Sequence, residues 1–255
     1  MNILVVNDDG IEAEGIKKLV EALSGVANVY VCAPHTQRSS TGHGISINHP
    51  VRFDRVPFPG AKIAFSLEGL PADCVKMGMA MFKELGIGFN KVFSGINHGS
   101  NLGTDAIYSG TVAAALEGAI NGIPSVAMSL NAHKALQYET AKSLAAKIAC
   151  MDLEKLSPRL VLNINIPNLP DEQIRGIKVV RQGIREYTEW YDKSTLDDGT
   201  EGYVYSGRPI IYDNITCDTS DVGADQESYI SITPLKYDLT DYELLDRIKK
   251  EGMFD

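Results

Sequence analysis

The chain has 255 residues, 44% of them hydrophobic and 22% charged, and carries a formal charge of −9. This composition supports a sizeable hydrophobic core and excludes bulk disorder. The acidic balance argues against a nucleic-acid backbone as partner, which would require a basic face. A small anionic ligand stays open, because one bound metal ion reverses the local potential.

The first apolar run, Ile3 to Val6, is short, has no basic residue ahead of it and ends in Asp8-Asp9. That is not the pattern of a signal peptide. No stretch approaches the ~20 apolar residues that span a bilayer. Cys32, Cys74, Cys150 and Cys217 are scattered and form no CxxC pair, so neither a zinc site nor a disulfide framework is expected. The expected compartment is the cytoplasm, with no membrane partner.

Residues 2–7 read as a buried parallel strand that stops at Asp8-Asp9-Gly10. Ile16, Leu19, Val20 and Leu23 share one face of a helix over 13–24, ended by Gly25. Residues 28–33 form the next strand, closed by Pro34, and this βαβ start predicts a parallel sheet. A polar Ser-, Thr- and Gly-rich loop covers 34–44, alternating residues 45–56 suggest a hairpin arm, and 62–67 a short strand. A helix is expected from Pro71 to about 85, a strand over 91–96, and a polar loop from Asn97 to Asp105. Residues 110–121 form a small-residue helix, 124–130 a strand, 135–150 a helix and 160–166 a strand. After about 175 the texture changes to short alternating segments, turn glycines and aromatics such as Tyr187, Trp190, Tyr191, Tyr203 and Tyr205. These predict β-hairpins, followed by a final helix over 240–250. The expected fold class is α/β, a doubly wound, mostly parallel, Rossmann-like three-layer sheet. A core of residues 1–175 precedes a β-hairpin-rich part, 176–255, suited to oligomerisation.

Three polar clusters fall at the carboxyl ends of predicted strands, where open α/β sheets bind ligands. Adjacent strand residues point to opposite faces, but Gly10 lets the chain turn, so both Asp8 and Asp9 can aim into one crevice. Two close carboxylates need a cation or a shared proton, and oxygen donors suit Mg²⁺ or Mn²⁺. A solvated turn capping the next helix is the competing reading. In the second cluster, Arg38 to His43, Ser39 offers a further oxygen, and His43 a proton or a contact to phosphate. The third runs from Ser94 through Asn97, Gly99 and Asn101 to Ser109-Gly110-Thr111. Its glycines and amides can face an anion, and a helix N-terminus at Ser109 to Thr111 favours phosphate. Taken alone, Ser109 reads as a helix cap. No Walker A loop or GxGxxG fingerprint is present. His98 lies in the same loop and is a secondary candidate, while His35, His49 and His133 read as surface residues.

Together these motifs resemble the SurE family of metal-dependent nucleotidases. The resemblance rests on Ile3 to Ile11, Ala33-Pro34 with Arg38-Ser39, Ser94 to Asn97 with Gly99 and Asn101 to Gly103, and Tyr108 to Val112 with Glu117 to Ala119. Asn163 to Pro167 fits the family's closing core strand. The resemblance implies one divalent ion, Mg²⁺ or Mn²⁺, per subunit on Asp8, Asp9, Ser39 and Asn97. It implies hydrolysis of nucleoside 5′- or 3′-monophosphates, with short polyphosphate as a side substrate, in a homodimer or homotetramer. Asp8 or Asp9 would orient or deprotonate the attacking water, and backbone N–H groups near Ser109 to Thr111 would hold the phosphate. Asn97, Gly99, Asn101, Ser109, Gly110, Thr111 and His43 form the expected substrate surface. A haloacid-dehalogenase-type mechanism would want Asp-x-Asp, which the chain lacks. A nucleotide or metal sensor without turnover is the non-enzymatic alternative.

Overall fold

The computed structural model describes residues 1–132, 134, 137–188, 190–210 and 216–254. In chain order, β1 (Asn2–Val6), α1 (Glu14–Ser24), β2 (Asn28–Pro34), β3 (Phe53–Val56) and β4 (Ala61–Leu67) come first. Then follow α2 (Pro71–Glu84), β5 (Lys91–His98), α3 (Gly110–Ile120), β6 (Ser125–Asn131), α4 (Glu139–Ala149) and β7 (Val161–Pro167). The last elements are β8 (Ile177–Val179), β9 (Tyr191–Thr195), β10 (Glu201–Tyr205), α5 (Asp221–Gln226), β11 (Ile230–Leu235) and α6 (Tyr242–Glu251). Residues 135 and 136, where the fourth helix was expected to begin, lie outside the described residues.

The main sheet has nine strands in the order β3-β4-β2-β1-β5-β6-β7-β11-β8. The six strands from β4 to β7 run parallel, and β3 and β11 join antiparallel to β4 and β7. The winding reverses between β1 and β5, and at such a switch point the crevice at the strand ends opens. Alternation along β1 sorts the two faces. Ile3 and Val5 pack with Ile16, Leu19 and Leu23 of α1 and Leu144 and Ile148 of α4. Leu4 and Val6 pack on the other face with Cys74, Val75 and Phe82 of α2 and Ala114 of α3.

The chain after residue 175 does not stand apart from this sheet. β11 pairs with β7 from Ser231↔Asn165 to Leu235↔Val161, and β8 pairs parallel with β11. Only β9 and β10 form the separate hairpin that the aromatic pattern predicts. The expected arm over 45–56 shrinks to β3, because only Phe53–Val56 find a partner strand in β4. Among the described residues no helix is long and apolar enough to cross a membrane.

Candidate functional site

β1 ends with Val6 buried, and the next three residues are polar: Asn7, Asp8 and Asp9. Gly10 takes φ +100°, a conformation open to glycine, and turns the chain so that the Ile11 N–H donates to Pro34 O at 2.8 Å. Asn7 Nδ2 donates to Gly10 O at 2.8 Å and braces the same turn. The two acids then leave on different sides. The Asp8 carboxylate points to α3, where Oδ1 accepts the Thr111 hydroxyl. Asp9 points to β5, where Oδ2 accepts the His98 N–H at 3.1 Å.

α3 comes unusually close to Asp8 because its first residue has no side chain. A Cβ on Gly110 would lie 2.8 Å from Asp8 Cβ and 2.9 Å from Pro71 Cγ. Burial pushes the Asp8 carboxyl up to about 6; the Thr111 hydroxyl pulls it down, and the Asp9 charge adds to the rise. Asp8 is 4% exposed. A buried carboxylate beside a second one is costly to ionise without a cation.

Asn97 lies in β5 rather than in a loop, since β5 continues to His98 and pairs Asn97 with Ser129. Its Nδ2 donates to Gly99 O at 2.8 Å. That fixes the amide orientation and leaves Oδ1, the atom a hard cation takes, with no hydrogen bond from the described residues. Ser39 reaches the same end through its neighbour, whose N–H donates to Asp8 O at 2.7 Å. Ser39 is exposed, and its Oγ accepts from Gln37 Nε2 at 2.9 Å. Asp8, Asp9, Ser39 and Asn97 thus stand at the carboxyl ends of β1, β2 and β5. Among the described residues no cluster of three or more His, Cys, Asp or Glu is placed to hold a metal. This four-oxygen set has only two carboxylates, completed by a hydroxyl and an amide, and its hard donors fit Mg²⁺ or Mn²⁺ rather than zinc.

The other expected substrate residues divide. Thr111 and Gly110 meet Asp8 directly. Ser109 caps α3, its Oγ accepting the Val112 N–H at 3.1 Å. The Gly99 N–H donates to Leu130 O at 2.9 Å, and the residue turns with φ +109°. Asn101 sits in a buried knot: its N–H donates to Asn165 Oδ1 at 2.7 Å, its Nδ2 to Ser129 Oγ at 2.7 Å, and its carbonyl accepts from Asn163. His43 meets α3, with Nε2 3.0 Å from Glu117 Oε2. His98 Nε2 lies 2.6 Å from the Tyr138 hydroxyl, whose pKa burial pushes up to about 12. His35 and His49 are exposed, and His133 lies outside the described residues.

Several residues that shape the site carried little sequence signal. Asp221 is fully buried and accepts the N–H groups of Gly103, Gly183 and Val222 at 2.8–2.9 Å, tying the C-terminal part to the loop after β5. Arg185 donates to Ser100 Oγ at 3.1 Å and to Asp105 Oδ2 at 2.9 Å, while the Tyr187 hydroxyl also meets Asp105. Glu117 alone had a visible signal, being the one charged residue in the small-residue helix α3.

Comparison with known proteins shows the family. The family model described as "Survival protein SurE" matches residues 3–189. The "5'-nucleotidase SurE" of Pelotomaculum thermopropionicum is 43% identical over 251 residues, covering 98% of this chain and 95% of that protein. The protein of the same name from Syntrophomonas wolfei subsp. wolfei is 42% identical over 255 residues, covering 98% and 94%. The crystal structure of the SurE protein from Aquifex aeolicus superposes with a TM-score of 0.80 at 35% identity, covering 99% of this chain and 100% of that one. On these matches, the relatives spanning nearly its whole length, the chain belongs to the SurE family.

Proposed function

We propose that this protein is a phosphomonoesterase that hydrolyses nucleoside 5′- and 3′-monophosphates to nucleoside and phosphate, with short polyphosphate as a side substrate. One observation carries the reading. Asp8, backed by Asp9 at the end of β1 beside the sheet's switch point, stands buried against the N-terminus of α3, where the Thr111 hydroxyl meets it. The names of the relatives, 5'-nucleotidase SurE, support the same activity.

Asp8, Asp9, Ser39 and Asn97 would hold one Mg²⁺ or Mn²⁺ per chain. When bound, the ion supplies Lewis-acid activation of water and of the phosphoryl group. The residues of the chain do the rest. The Thr111 hydroxyl holds the Asp8 carboxylate in one orientation, and the His98 N–H does the same for Asp9. Asn97 is oriented by Gly99. The open end of α3 at Gly110 and Thr111 directs its positive dipole at the phosphate and steadies the charge that develops on it. One of the two carboxylates would orient the attacking water or take its proton, while the P–O bond to the nucleoside breaks and that oxygen leaves as a hydroxyl with a proton from solvent.

We further propose a homodimer or homotetramer built through the C-terminal part, working in the cytoplasm. α6 has no buried residue, and Leu244, Phe254, Tyr191, Tyr203 and Val204 expose apolar surface of the kind that marks an interface. The four cysteines are free thiols, as a reducing compartment keeps them. Light scattering that gives a 27.7 kDa species would contradict the oligomer.

The activity is tested by phosphate release from a panel of nucleoside 5′- and 3′-monophosphates with Mg²⁺, Mn²⁺ or chelator. Release that depends on metal supports the reading. Nucleotide binding without release from any member of the panel would make the protein a sensor.

A further inference from the structure

The loop that carries Ser39 is held at three points. At its start the Arg38 N–H donates to Asp8 O at 2.7 Å, and in its middle the Gly42 N–H donates to Tyr108 O at 3.0 Å. Between them Ser40 and Gly42 take left-handed backbone angles, φ +58° and +54°. The third point is a side chain: His43 Nε2 lies 3.0 Å from Oε2 of Glu117 on α3.

Glu117 is 3% exposed and fully engaged. Its Oε1 accepts from Lys76 Nζ of α2 at 2.8 Å and from Asn121 Nδ2 at 2.9 Å. Burial pushes its carboxyl up, but the hydrogen bonds from His43 and Lys76 outweigh that and bring it below the usual glutamate value. Glu117 is therefore an anion, so the facing His43 nitrogen carries a hydrogen and donates. The contact needs no charge on the imidazole.

α3 also carries Thr111, which bonds Asp8. Glu117 lies six residues further along, about 9 Å up the helix axis at 1.5 Å per residue. The imidazole is thus fastened to the same rigid element that fixes Asp8. We propose that His43 is a positioning residue. Its bond to Glu117 locks the loop 38–44 to α3 and so holds Ser39 in register with Asp8 and Asp9. This rests on the reading of Ser39 as a metal ligand.

Two readouts on the full chain test it, with His43→Ala and with His43→Gln, whose side-chain amide replaces the Nε2 donor. The first is Mn²⁺ affinity by electron paramagnetic resonance. The second is amide hydrogen exchange of residues 38–44 in metal-free protein. We expect His43→Ala to weaken Mn²⁺ binding by about 10-fold, the range seen for residues that orient metal ligands, and to speed exchange across the loop. His43→Gln should recover most of both, and KM for nucleotide at saturating Mn²⁺ should stay within about 2-fold in both variants, because uniform substrate binding is untouched. Wild-type Mn²⁺ affinity in His43→Ala, unchanged loop exchange, or no recovery by His43→Gln would each overturn the proposal. If the wild-type chain bound no Mn²⁺ at all, the metal reading itself would fail, and with it the role given to Ser39. The exchange data would then report only on the tether.

Discussion

Gly110 stands against Asp8 so closely that a Cβ on the glycine would fall 2.8 Å from Asp8 Cβ and 3.0 Å from Asp8 Oδ2. The absence of one methyl group is what lets the N-terminus of α3 face the acidic pair. Gly110→Ala forces Asp8 or the helix to move. It should cost about 1–3 kcal/mol of stability, as overpacking does. Misplacing the carboxylate should also lower phosphate release by roughly 100-fold. Thermal melting and the phosphate-release assay measure the two effects on one sample.

Asp8 gives a pH prediction for the chelated protein. Its folded pKa of about 6 stands above the ordinary 3.8, so its contribution to stability is fully present below pH 3.8 and is lost as pH rises through 6. The loss is on the order of 3 kcal/mol at neutral pH. Asp8→Asn has no carboxyl to ionise. In chelator at pH 7.5 it should melt above the wild type, and the gap should close near pH 4. The same variant should release little phosphate with any metal. A wild-type melting point that tracks the variant across this range would count against the burial argument.

Thr111 holds the Asp8 pKa down through its hydroxyl. Thr111→Val deletes that donor and should raise the pKa further. A proton then competes with the cation to higher pH, so the pH at which Mn²⁺ affinity halves should move upward. Thr111→Ser should restore it, and the pair of titrations checks the assignment.

Much of this was legible in the sequence because local pattern and tertiary role coincide. β1, α1, β2 and α2 through β7 follow from apolar patterning and from Gly and Pro punctuation, since these strands are buried on both faces, α1 and α4 show one apolar stripe, and α3 is small-residue and buried nearly all round. Asp8, Asp9, Ser39 and Asn97 were candidates because each falls at or just beyond the end of a predicted strand, and the family resemblance joined them into one set. What stayed hidden depends on long-range pairing. Nothing in Ile230–Leu235 states that it will lie antiparallel to β7, because the paired residues, from Ser231↔Asn165 to Leu235↔Val161, are 66 to 74 positions apart. Asn101 reads like a ligand loop residue, yet its amide and backbone meet Ser129, Asn163 and Asn165 from two strands. Its role is set by contacts that no local window contains. His43 was read toward phosphate because the sequence does not show that Glu117 comes within 3.0 Å of it.

Asp221 accepts three backbone N–H groups, that of Gly103 in the core and those of Gly183 and Val222 in the C-terminal part. Asp221→Ala leaves those buried donors unsatisfied, and each costs about 1–3 kcal/mol. The variant should lose at least about 2 kcal/mol by denaturant unfolding. Loss of the tie between Gly103 and Gly183 should also raise hydrogen exchange in the loop after β5.

The most direct test is phosphate release from adenosine monophosphate across a Mn²⁺ titration, run on the wild type and on Asn97→Ala. The account predicts no release in chelator, a wild-type rise that saturates at one Mn²⁺ per chain, and an Asn97→Ala curve shifted to much higher Mn²⁺. Release that persists in chelator, or identical curves for the two proteins, would contradict a metal site built on Asp8, Asp9, Ser39 and Asn97.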